Sequence, residues 1–182
     1  MSRRTIFILF NFIGFQAVWA ACAYGATNQI PSAGVIAGII YILIHFTFTP
    51  SRLLDVSIML IVAMTGVILD FINFYFGLIS FNSSSHTLPF WLVILWLSFS
   101  LILPHSLRWL GNYPLLASLL GGTGGSLSYV IGHQLGAITL STPLYPSVIV
   151  YFLEWAVIVP VALWLISYIE KLLLAKSNPG SA

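Results

Sequence analysis

The chain has 182 residues, 59% hydrophobic and only 5% charged, with six Lys and Arg against four Asp and Glu and a formal net charge of +2. A soluble domain carries about 25% charged residues, because water must wet its surface, so a water-facing globule of this size is excluded. The cations are too few and too scattered for a nucleic-acid footprint, and the single cysteine, Cys22, excludes an intrachain disulfide and a Cys-based zinc motif.

The expected fold is all-α, a polytopic transmembrane helix bundle of six spans at about 5–24, 31–48, 54–78, 88–110, 114–136 and 147–169. Each apolar run approaches the ~20 residues that cross a hydrocarbon core. The first follows Ser2-Arg3-Arg4. With Ala21-Cys22-Ala23 behind it, it also resembles a secretory signal peptide. Its length and the polar Asn11, Gln16 and Trp19 favour retention as a span. Pro31, Pro89, Pro114 and Pro146 open later runs, where a missing N–H is harmless. Pro104 and Pro160 fall inside runs four and six and predict kinks. Asn82-Ser83-Ser84-Ser85-His86-Thr87 breaks the pattern after run three, and residues 171–182 read as a short, disordered cytoplasmic tail.

Cytoplasmic loops of membrane proteins are rich in Lys and Arg. With the N-terminus inside, Arg3, Arg4, Arg52, Arg108, Lys171 and Lys176 all fall on the cytoplasmic side, and the opposite loops hold no cation. The predicted topology is therefore N-in and C-in, multi-pass.

Ionisable groups within a bilayer are costly and turn toward partners or cavities. At ~1.5 Å per residue, Gln16, Asp70, Asn73, Tyr129, His133 and Glu154 fall at comparable depths in the outer half. Asp70 and Asn73 share a helix face, as do Tyr129 and His133. Such a group is a candidate substrate or proton site, and its structural alternative is a hydrogen-bond network that fixes packing. Two carboxylates and a histidine also suit a metal, but spacing such as H-E-x-x-H is absent, so no metal and no cofactor is expected. At the inner edge, His45, His105 and Arg108 are candidates for an anionic headgroup. Arg108 beside Trp109 also reads as an interfacial anchor, while Asp55 and Arg52 pair or are solvated. Run five carries Gly121 and Gly125, then Gly132 and Gly136, two G-x-x-x-G pairs that allow close helix packing.

Pro89-Phe90-Trp91 through Leu95-Trp96, His105-Ser106-Leu107-Arg108-Trp109-Leu110, the polar Asn11, Gln16 and Trp19, and the small-residue run ending Tyr129, Gly132 and Gly136 form a further pattern. On these residues the chain resembles domain of unknown function 2878 over nearly its whole length. The resemblance implies a small bacterial inner-membrane protein with no established activity, so no catalytic residue is carried over. Members are often encoded beside cyclopropane-fatty-acid-synthase-like enzymes, which implies a link to membrane lipids. The expected role is accessory to membrane lipid modification or envelope stress response, and an enzyme is not expected. The alternatives are a small-solute or proton-coupled permease and a membrane scaffold. Expected partners are the lipid bilayer, other membrane proteins and lipid-modifying enzymes, with no nucleic acid.

Overall fold

The computed structural model describes residues 2–81 and 87–177. Among them are six α-helices: α1 (Arg3–Thr27), α2 (Ser32–Phe48), α3 (Arg52–Tyr75), α4 (Phe90–Ser100), α5 (Pro114–Gln134) and α6 (Tyr145–Ser177). Two short strands, β1 (Ile79–Phe81) and β2 (Ile138–Leu140), pair antiparallel. Four helices, α1, α3, α5 and α6, are long and apolar enough to cross a membrane, and α2 and α4 are shorter apolar helices. The four suggest a membrane protein, and large apolar side chains such as Ile13, Leu43, Met64, Leu115 and Trp164 face outward as lipid would require. Pro31 and Pro89 flank helix starts and Pro114 opens α5, as their fixed φ favours.

Run four differs from its predicted span of 88–110. Its helix ends at Ser100, and turns follow to a short 3-10 segment at Arg108–Asn112. The cause is Pro104, which lacks an N–H and whose ring clashes with the carbonyl four residues back, that of Ser100. The chain stops rather than kinks, yet Leu101, Ile102 and Leu103 stay buried. At the C-terminus, α6 runs through Pro160 and on to Ser177, so the stretch after Lys171 begins as helix. Residues 178–182 of the predicted tail, and positions 82–86 of the predicted polar break, lie outside the described residues.

The strands were not expected. Each follows a helix closed by a glycine in the left-handed region, Gly77 at φ 74° and Gly136 at φ 77°. In both turns the next residue donates back into the helix, Leu78 to the Asn73 carbonyl and Ala137 to that of Gly132. Gly136 is thus a turn residue and not half of a packing pair.

These two turns belong to a wider correspondence at an offset of 59 residues, the separation of Asp70 from Tyr129 and of Ser80 from Thr139. Gly66 would meet the Trp96 ring if it carried a Cβ, and Gly125 would meet the Trp155 ring. Trp96 and Trp155 stack with centroids 4.9 Å apart and planes at 16°. Ser80 pairs with Thr139 at the middle of the strand register, with Ile79 opposite Leu140 and Phe81 opposite Ile138. The units α3–β1–α4 and α5–β2–α6 therefore face each other about a local two-fold axis. Asp70 and Tyr129, Trp96 and Trp155, and Ser80 and Thr139 meet across it. The helices α1 and α2 lie outside the repeat and pack on each other and on α4.

Candidate functional site

Three features stand out: a polar network near the strands, a second at the opposite end, and an apolar cleft. In the first, Asp70 on α3 is buried and both its oxygens are used. Oδ1 accepts from the Tyr129 hydroxyl at 2.7 Å, and Oδ2 from Trp96 Nε1 at 2.6 Å. One turn on, the buried Asn73 amide donates to both oxygens of Glu154 on α6 at 3.0 Å. Tyr129 also stacks on Tyr151, centroids 3.7 Å apart. Four of the six expected outer-half residues thus converge: Asp70, Asn73, Tyr129 and Glu154.

His133 and Gln16 do not join them. His133 shares a face with Tyr129, but it sits at the end of α5, and its Nδ1 accepts from the Leu140 backbone N–H at 3.3 Å. It ties β2 to the helix end. Gln16 is exposed on α1 at the edge of the cleft.

The second network gathers at the end where α1 begins. His45 closes α2, Asp55 lies in the first turn of α3, and His105 follows the Pro104 break. Asp55 Oδ2 lies 3.0 Å from His45 Nε2, and its Oδ1 is 3.0 Å from His105 Nε2. The Thr49 hydroxyl also donates to Oδ2. Asn11 on α1 holds the other side of His45. Its amide NH2 faces His45 Nδ1 at 3.2 Å and donates to the Leu101 carbonyl at 3.1 Å, while its oxygen accepts from Ser106 at 2.6 Å. Asp55, His45 and Asn11 are each fully buried.

Arg108 is not part of this cluster. It pairs with Glu170 on α6, and its Nη1 is buried without a partner among the described residues. The pair itself is about one-third exposed on both sides, so it adds at most ~1 kcal/mol.

The cleft runs between α1 and α5, which hardly touch along their length. Two adjoining hollows, ≈610 and ≈880 Å³ out to their open mouths, share a wall of Phe15, Phe99, Ser128 and Trp155. On α1 the lining extends from Phe12 to Ala23, about 16 Å at ~1.5 Å per residue. The repeat explains why the space is open. Asn73 and Glu154 close one groove with a hydrogen bond, and their counterparts at the 59-residue offset, Gly132 and Leu95, line the cleft. It also explains an orphan donor. Trp96 Nε1 finds Asp70, but Trp155 has Tyr129 at the corresponding place, and its own Nε1 is buried with no partner among the described residues.

The run-five glycines pack inside the chain. A Cβ on Gly121, Gly122 or Gly125 would lie within 3 Å of Trp155, Val159 or Phe152 atoms on α6, while Gly124 faces open space.

Sequence reasoning left out Asn11 and Thr49 as members of the second network, took Asp55 for a solvated or Arg52-paired group, and did not single out Trp155. The 59-residue offset would have found Trp155. His45 and Asp55, placed evenly about Pro50, would have suggested a meeting across that turn.

No curated protein and no solved structure matches the chain. Residues 8–161 match the family described as Protein of unknown function (DUF2878), and the chain belongs to that family.

Proposed function

We propose that this is an integral protein of the bacterial inner membrane, N-in and C-in. It crosses six times and holds one acyl chain of a membrane lipid in the cleft between α1 and α5, as an accessory to lipid modification. The observation that carries the reading is the cleft itself. It is lined almost wholly by apolar side chains, lies between two helices long and apolar enough to cross a membrane, and matches in length about half of a ~30 Å hydrocarbon core, the reach of one leaflet's chains. With the basic end taken as cytoplasmic, the six-span reading gives α2, at 17 residues, about 25 Å. The turns after α4 carry the fourth crossing onward.

The Trp155 ring lines both hollows and its Nε1 is buried without a partner among the described residues, so a small turn of the ring would offer that N–H to an occupant at this depth. An oxygen or a double bond part-way along the chain would take up that N–H, the latter through the weaker N–H to π contact. A second reading, a proton-coupled carrier, draws on Glu154, which is only partly buried beside Asn73. In that case Glu154→Gln would abolish solute uptake into vesicles at normal protein levels. Unchanged uptake would remove it.

Photo-crosslinking tests the lipid reading. A phospholipid carrying a mid-chain diazirine is expected to label peptides of α1 and α5. Gly124→Trp, which fills the cleft where a Cβ meets nothing within 4 Å, should cut that labelling at least tenfold without lowering protein yield. Trp155→Phe should keep labelling but lose discrimination between chains with and without a double bond. Equal labelling of the Gly124→Trp protein, or an unaltered acyl-chain profile in a deletion strain, would count decisively against the proposal.

A further inference from the structure

We infer that His45, Asp55 and His105 form a binding site for one divalent transition-metal ion, with the two-imidazole, one-carboxylate ligand set that zinc and its neighbours accept. The site is separate from the cleft, and the inference does not depend on the lipid reading.

The three donor groups are already gathered in one place. One ligand atom from each residue lies within 4.8 Å of the other two. The nitrogen-to-oxygen separations are 3.0 Å for His45 and 3.0 Å for His105. In a four-coordinate zinc site with bonds of ~2.0–2.2 Å, ligand atoms sit about 3.3 Å apart, so each nitrogen-to-oxygen pair opens by a few tenths of an ångström and the two imidazole nitrogens, within 4.8 Å of each other, settle at a similar spacing. The three ligands come from three separate segments, so an ion would clamp the ends of α2 and α3 to the break after α4. Three protein ligands leave a fourth position for water or a substrate atom.

Charge gives a second, independent reason. Asp55 is fully buried, and no Lys or Arg pairs with it among the described residues. Arg52, the nearest cation in the chain, donates its Nε–H to the Phe46 carbonyl at 3.1 Å instead. A buried carboxylate without a cation is costly, and a divalent ion supplies one. Phe7 covers the site, its ring 5.4 Å from that of His45 and 4.9 Å from that of His105. The His105 side chain, 10% exposed where the other two show none, marks the way in.

The surrounding residues fit as supports. The Thr49 hydroxyl holds Asp55 Oδ2. When His45 Nε2 gives its lone pair to a metal, its proton moves to Nδ1, which then needs an acceptor. Asn11 can provide one by turning its amide over. Its oxygen would then face Nδ1–H and its NH2 the Ser106 oxygen, at the loss of its bonds to the Leu101 carbonyl and the Tyr41 hydroxyl.

The test is to titrate the full-length protein, purified in detergent and stripped with chelator, with Co²⁺ and then with Zn²⁺. One Co²⁺ per chain is expected, with visible ligand-field bands that Zn²⁺ abolishes. His45→Gln and His105→Gln should each weaken binding at least 100-fold, and His133→Gln, at the opposite end, should leave it unchanged. The wild-type spectrum stands alone if either variant fails to fold. Absence of Co²⁺ bands in the wild type would overturn the inference and leave a site that holds protons only. So would binding retained in the His45→Gln, His105→Gln double variant, or lost equally in His133→Gln.

Discussion

Gly66→Ala is expected to lower the stability of the detergent-solubilised protein by about 3 kcal/mol, the upper range for forcing extra volume into a packed core. A Cβ at Gly66 would lie 2.2–2.4 Å from ring atoms of Trp96. That ring has little room to withdraw, since it is stacked on Trp155, packed edge-on against Phe99 and hydrogen-bonded to Asp70. Elsewhere in a helix the same change helps, because alanine is favoured over glycine by about 1 kcal/mol. Gly124→Ala, with nothing within 4 Å of the new methyl, should therefore leave the thermal midpoint unchanged or raise it. Thermal unfolding of the two variants side by side decides the matter. Similar midpoints would mean that the Trp96 contact does not constrain the helices.

Asp55→Ala is expected to cost 3–5 kcal/mol, the scale for removing one partner of a buried charged network. The substitution strands the Thr49 hydroxyl, His45 Nε2 and His105 Nε2, which all converge on this carboxylate. None of the three is freely solvated, so each lost bond leaves a desolvated polar group. Asp55→Asn keeps the shape and one acceptor oxygen, and should fall between Ala and wild type. Glu170→Gln gives the contrasting case. It also breaks an ion pair, with Arg108, but one about one-third exposed, and should cost no more than about 1 kcal/mol. The yield of monodisperse protein after graded heating measures all three. If Asp55→Ala behaves like Glu170→Gln, the buried network is not holding the ends of α2 and α3.

Hydropathy located the helices well, because lipid-facing and core-facing positions are both apolar and the runs stand out whole. Proline marked their starts for the same local reason. What hydropathy missed is long-range or non-periodic. It did not show that Pro104 would stop α4 at Ser100, because Leu101, Ile102 and Leu103 stay apolar when the backbone leaves the helix. It placed His133 beside Tyr129 by helical spacing, but the turn at Gly136 brings β2 back onto His133, and the imidazole is spent on a strand amide. Asp70, Asn73, Tyr129 and Glu154 were legible as a group because equal depth in neighbouring helices is a strong constraint. His45, Asp55 and His105 were placed together at the inner edge by the same reasoning, but Arg52 and Arg108 do not join them and Asn11 does, since which side chains turn inward there only tertiary packing determines.

The 59-residue correspondence has a consequence for how such a molecule could arise. A helical hairpin that joined a second copy of itself would bring every residue on the symmetry axis against its own twin. Tryptophan stacked on tryptophan tolerates that, and so does a strand paired with its like. Aspartate does not, because two carboxylates forced together in a dry interface repel. The bond from Tyr129 to Asp70 is therefore open only to halves that are free to differ, as two copies joined in one chain are. The same freedom let one groove close with Asn73 and Glu154 while its sister, bearing Gly132 and Leu95, stayed open.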